Sequence, residues 1–122
     1  MQHPAIQISL VNQNCAFKPG ELIAGSVRLS DAPVGGQLVV ELKWLTRGKG
    51  SVDQSTDQTM SWPIAQSEGE ISFQFNAPKE PLSFRGRLIA IYWVVAARIR
   101  PKKAQTEVEI VISPTLSALY AW

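Results

Sequence analysis

Few side chains in this 122-residue chain are of types that do covalent or acid–base chemistry, and their spacing decides how far each can be taken. The single histidine, His3, has no second imidazole to complete a zinc site or a catalytic pair. The single cysteine, Cys15, would be a nucleophile only beside a base or cation that favours its thiolate. Flanked by Asn14 and Ala16 in a connection between strand patterns, it reads as a loop residue. Gly48-Lys49-Gly50-Ser51 has the letters of a phosphate loop, but that motif needs glycine where Lys43 stands, and a second glycine follows Lys49. Asp53 and Asp57 lack the alternating carboxylates, the glycine and the closing glutamate of a calcium loop. Glu68 and Glu70 precede a strand pattern in a turn, where two acids are solvated and not an acid/base pair. No catalytic, cofactor-binding or metal-ligating set emerges, and the chain reads as a non-enzyme that needs no cofactor.

Charge is the one chemical feature with a pattern. The net charge is +2, yet six of the 12 Lys and Arg side chains fall between Arg85 and Lys103 with no acid among them. The other six face all 10 acids, a net of −4. Arg98 and Arg100 alternate onto one side of a strand, with Lys102 and Lys103 just beyond, and guanidinium forks suit carboxylate or phosphate. The plainer reading is that charge at strand ends keeps edges soluble. Nucleic acid is a poor fit, because no stacking aromatics are interleaved with these basic residues.

The elements that would position such groups are strands. Apolar and polar residues alternate with period two through Ile6–Leu10, Ile23–Leu29, Leu38–Trp44, Ile71–Phe75 and Val108–Ile112. Turn signals separate them: Lys18-Pro19-Gly20, Asp31-Ala32-Pro33, Gly35-Gly36, Gly48-Lys49-Gly50, Ala77-Pro78 and Glu80-Pro81. With no helical run before residue 113, the pattern predicts an all-β, two-sheet antiparallel sandwich of about seven to eight strands. At this length and with 45% hydrophobic residues, one domain with its own core is expected. The lone cysteine, the lack of a charged-then-apolar leader and the absence of any apolar run near 20 residues predict a cytoplasmic protein without a transmembrane segment.

The run from Arg87 to Arg100 stands apart. Its odd positions, Ile89 to Ile99 with Trp93 among them, make a core face. Its even positions, Leu88, Ala90, Tyr92, Val94 and Ala96, are apolar as well. A strand with two apolar faces needs cover on both, so the second face should meet the tail, a loop or another protein. The tail, 114–122, places Leu116, Leu119 and Tyr120 at helical spacing after Pro114, which fits a short C-terminal helix, with a strand as the alternative. Trp122 adds a further apolar side chain that water would not favour.

Two segments together resemble the arrestin family. Phe17-Lys18-Pro19-Gly20-Glu21-Leu22-Ile23-Ala24-Gly25-Ser26-Val27 resembles that family's opening motif, and Pro81-Leu82-Ser83-Phe84-Arg85-Gly86 leading into the 88–99 strand resembles its later one. Order and separation match, so the likeness spans about residues 5 to 113. The resemblance implies an immunoglobulin-like (arrestin-type) sandwich over 1–113 and an adaptor or scaffold role, as in arrestins, retromer-type relatives and bacterial sporulation-control proteins. Those families usually carry two sandwiches where this chain has one, so it looks more like small bacterial arrestin-like proteins, and no phosphate-sensing residue carries over. The functional expectation is a protein-interaction module, docking a protein partner or its own copy through Leu88, Tyr92, Val94, Leu116, Leu119, Tyr120 and Trp122. The alternative is an anion-dependent regulator that binds phosphorylated or acidic peptides or lipid headgroups through Arg98, Arg100, Lys102 and Lys103.

Overall fold

Each alternating segment becomes a strand in the computed structural model, which describes residues 5–48, 52–86, 88–101 and 104–120. In chain order these are β1 (Ala5–Leu10), β2 (Ala16–Phe17), β3 (Leu22–Ser30), β4 (Gln37–Gly48), β5 (Val52–Pro63), β6 (Gly69–Asn76), β7 (Phe84–Arg85), β8 (Ile89–Arg100), β9 (Ala104–Ile112) and β10 (Leu119–Tyr120). The smaller sheet has the order β1-β3-β6, all antiparallel. The larger runs β5-β4-β8, and the far edge of β8 is shared end to end by β7 and β9. Two-residue strands extend that shared edge in parallel, β2 beside β9 and β10 beside β7.

The core is the space between the sheets. Leu38, Val40 and Leu42 of β4, Trp93, Val95, Ala97 and Ile99 of β8, and Ile110 and Ile112 of β9 face Ile23, Val27 and Leu29 of β3 and Phe73 and Phe75 of β6. The odd positions of β8 from Trp93 onward are therefore the core face, as their alternation predicts. Ile89, 48% exposed, lies at the margin. Trp93 is wholly buried, and its indole N–H still finds an acceptor by donating to the Pro81 carbonyl at 2.7 Å.

The motif residues act on backbone geometry. Gly20 takes φ +88° after Pro19, and the Glu21 N–H donates to the Lys18 carbonyl at 3.0 Å, the arrangement of a type II turn. The turn is hooked onto the end of β6: the Gly20 N–H donates to the Ala77 carbonyl and the Ala77 N–H to the Glu21 carbonyl. Gly25 lies where β1, β3 and the Phe73 ring converge, and a Cβ there would sit 2.6 Å from the Ser9 carbonyl oxygen and 2.8 Å from Phe73 Cζ. At the junction of β7 and β9, the Ser83 N–H donates to the Ile112 carbonyl and the Ile112 N–H to Ser83 Oγ at 3.0 Å.

A bulge between Leu42 and Lys43 leaves Asp57 of β5 without a partner on β4. Next to it, Gln58 turns its amide onto the end of β6, donating to the Asn76 carbonyl at 2.8 Å and accepting from the Asn76 N–H at 3.4 Å. One side chain thus joins the free edges of the two sheets at that corner.

The tail differs from the short helix that its spacing suggests. Leu116 has φ +62°, and its N–H donates to the Ser113 carbonyl, closing a turn. The Thr115 N–H donates to Ser113 Oγ, a local bond that competes with helix formation. A left-handed leucine cannot lie inside a right-handed helix, and the open edge of β7 offers strand pairing instead, which Leu119 and Tyr120 take up.

Replacing Gly25 with alanine is expected to lower unfolding free energy by about 1–3 kcal/mol through forced overpacking. Gly69→Ala, where a Cβ meets nothing within 4 Å, should be neutral or stabilising by about 0.4–1 kcal/mol. Urea unfolding of the two variants checks both, and equal effects would contradict the close approach at Gly25.

Candidate functional site

The outer face of the larger sheet, turned away from the smaller sheet, collects most of the residues singled out above. Residues directly opposite on neighbouring strands share a face, so register gives its layout. Moving down β8, Arg98 lies between Val39 of β4 and Gln105 of β9, Ala96 between Glu41 and Glu107, and Val94 between Lys43 and Glu109. Tyr92 lies beside Leu45, and Ala90 lies between Arg47 of β4 and Arg85 of β7. The strip along β8 is thus apolar and narrow, floored by two alanines and walled by charge on both sides.

Those walls close over the strip. The guanidinium carbons of Arg47 and Arg85 each lie 5.5 Å from the centroid of the Tyr92 ring, a cation–π arrangement in which long stems also cover apolar surface. Arg85 Nη2 reaches Glu109 Oε2 at 3.6 Å, with both side chains about half exposed. Val94 is only 4% exposed between Lys43 and Glu109. Part of the cover expected from a tail, loop or partner therefore comes from the sheet's own side chains.

Arg98 and Arg100 do share a side, and their circumstances differ. Arg98 Nη2 pairs with Glu41 Oε1 at 3.2 Å, and Thr56 Oγ1 donates to the other carboxylate oxygen at 3.0 Å. Its Nε is buried without a partner. Arg100 is exposed at the strand end, and with Arg98, Pro101 and Gln105 it lines an open depression. Lys102, Lys103 and Trp122 lie outside the described residues. Leu88 is 75% exposed just after the β7–β8 turn, and Leu116 is 44% exposed in the tail turn, away from the middle of the face. Leu119 and Tyr120 enter only as the backbone of β10.

Sequence reasoning missed Glu41, Arg47, Glu107 and Glu109 as members of this face. Their alternation was visible, but which strands lie beside β8 was not. The acid-free stretch from Arg85 to Lys103 receives its acids laterally, Glu109 to Arg85 and Glu41 to Arg98. Among the described residues, no three His, Cys, Asp or Glu side chains come together in a way that could hold a metal ion, and no helix is long and apolar enough to cross a membrane. Cys15 is exposed, and His3 lies outside the described residues.

The two packed sheets form a β-sandwich of arrestin-like fold. Comparison with solved structures supports that fold. The crystal structure of Spo0M, a sporulation control protein from Bacillus subtilis, is similar with a TM-score of 0.68 at 15% sequence identity, over 93% of this chain. The chain spans 50% of the length of that structure. No protein-family model and no curated protein sequence matches it.

Because Arg98 is 42% exposed, its ion pair with Glu41 is partly screened. A double-mutant cycle using Glu41→Ala and Arg98→Met should give a coupling of about 0.5–1 kcal/mol. Additive losses would mean that the pair does not hold this end of the face together.

Proposed function

We propose that the chain is a non-enzymatic, cytoplasmic adaptor or scaffold module that docks a protein partner through the outer face of its larger sheet. The observation that carries this reading is the composition of that face: half-buried Tyr92, Ala90 and Ala96 along its middle, with arginines and acids around them. Protein interfaces have this anatomy, with an aromatic and arginine-rich middle inside a polar rim that excludes water. Small floor residues let a partner approach closely, and a strand packed on both sides gives the patch a rigid base. The likeness in fold to a sporulation control protein agrees with a regulatory setting.

The basic strand end supports an anion-binding reading less well. Arg98 already has a carboxylate in Glu41, and Arg100 is the more exposed of the two. The rim charges of the face also offer specificity that a simple cationic end does not.

Photo-crosslinking in the cells that express the protein tests the proposal. A benzophenone amino acid replaces Glu107, exposed on this face, or Gln74, exposed on the outer face of the smaller sheet. Adducts formed from position 107 and not from 74 are expected. Adducts from 74 alone, or from neither, would overturn the assignment of the face.

A further inference from the structure

Two rows of the outer face carry opposite charges: Arg47 and Arg85 flank Ala90, and Glu41 and Glu107 flank Ala96, with Arg98 next along β8 and paired to Glu41 at 3.2 Å. The two rows have the same shape, a small residue between two long charged ones, and opposite sign. Six residues of extended chain place them roughly 20 Å apart along β8, with Trp93 midway between.

We propose that this face is complementary to itself and docks a second copy of the chain; the inference rests on the reading of the face as an interaction surface and names its partner. A two-fold axis lying in the interface, across the strands at the level of Trp93, carries Ala90 of one copy over Ala96 of the other. Lateral strand order is kept under that rotation, so β4 lies over β4 and the β7–β9 side over the β7–β9 side. Arg85 then meets Glu107, Arg47 lies over the Glu41–Arg98 pair, and the Tyr92 row lies over the Val94 row, each twice as an isologous interface requires. Packed sheets lie about 10 Å apart and cross at about 30°, which displaces rows 10 Å from the axis by roughly 5 Å. An arginine side chain spans that offset.

The charges also select the orientation. An axis along β8 would set Arg47 over Arg85 and Glu41 over Glu107, like against like, so the pattern rejects the parallel arrangement. Within one chain, Arg85 holds Glu109 at 3.6 Å with both side chains half exposed, a weak pair that leaves the guanidinium free to turn toward the Glu107 of the other copy. Leu88 is 75% exposed immediately before β8, at the end of the strand where the Arg47–Ala90–Arg85 row lies.

Sedimentation equilibrium from low micromolar to several hundred micromolar tests the dimer, using Arg85→Glu and Glu107→Arg, both at exposed positions. The wild type should dimerise, and its dimer should weaken as salt rises. Each variant alone should associate about tenfold or more weakly, because like charges then face each other twice. An equimolar mixture of the two variants should regain a dimer. In it the carboxylate introduced at position 85 meets the guanidinium introduced at position 107, and the unaltered Arg85 and Glu107 meet at the second contact. A wild type that stays monomeric, a dimer indifferent to salt and to both substitutions, or a mixture that fails to associate would each overturn the proposal. A monomer that still crosslinks from position 107 to a different protein would overturn the self-pairing and leave the interaction module standing. Loss of those crosslinks as well would remove both.

Discussion

Strand β8 is hydrogen-bonded along both edges, to β4 from Ile89 to Arg100 on one side and to β7 and then β9 on the other. A strand held in this way cannot rotate or slip, because a one-residue shift would exchange its two faces. Trp93, Val95, Ala97 and Ile99 are thereby committed to the core, and Tyr92, Val94 and Ala96 to the opposite side. The other long strands take their places from this one. β4 and β9 bring Leu38, Val40, Leu42, Ile110 and Ile112 to the same layer, and the smaller sheet closes over it. The sharing of one edge by β7 and β9 leaves a seam, which Ser83 closes with its backbone and its hydroxyl.

The same constraint explains what the amino-acid sequence reveals and what it hides. Alternation along a strand is a local property, so the strands, the core parity of β8 and the sandwich class are readable without a structure. The Pro19-Gly20-Glu21 turn is readable too, because its chemistry demands a left-handed glycine. Lateral order is not local. Nothing in the acid-free stretch from Arg85 to Lys103 shows that Glu41 and Glu109, far away in the chain, will be set against it. A linear charge count therefore overstates the basic character of the face. The tail shows the limit of spacing arguments: Leu116, Leu119 and Tyr120 fit a helical period, but the left-handed turn at Leu116 and the open edge of β7 decide for a strand.

The two sheets are unequal, and their free edges are handled differently. On the β5 side, the bulge at Asp57 breaks the regular edge, and the Gln58 amide occupies both backbone groups of Asn76 where β6 ends. Such bulges and side-chain caps disfavour addition of a foreign strand. Edge pairing is thereby disfavoured at that corner.

That face is an open trough along β8, with a depression at Ala96 lined by Glu41, Lys43, Arg98 and Glu107, and its regular layout suits a partner of matching shape. What it gives is a regular lattice of positions, with neighbouring strands roughly 4.8 Å apart and like-facing residues roughly 7 Å apart along each strand. Charges placed on that lattice form a pattern that a second regular surface can read, and another sheet with the same spacings is the simplest such reader. The opposite signs of the rows at Ala90 and Ala96 are that kind of pattern: Arg85 and Glu107 are exposed in one chain, where such charges contribute little to stability, and a facing surface with the reversed order would match both.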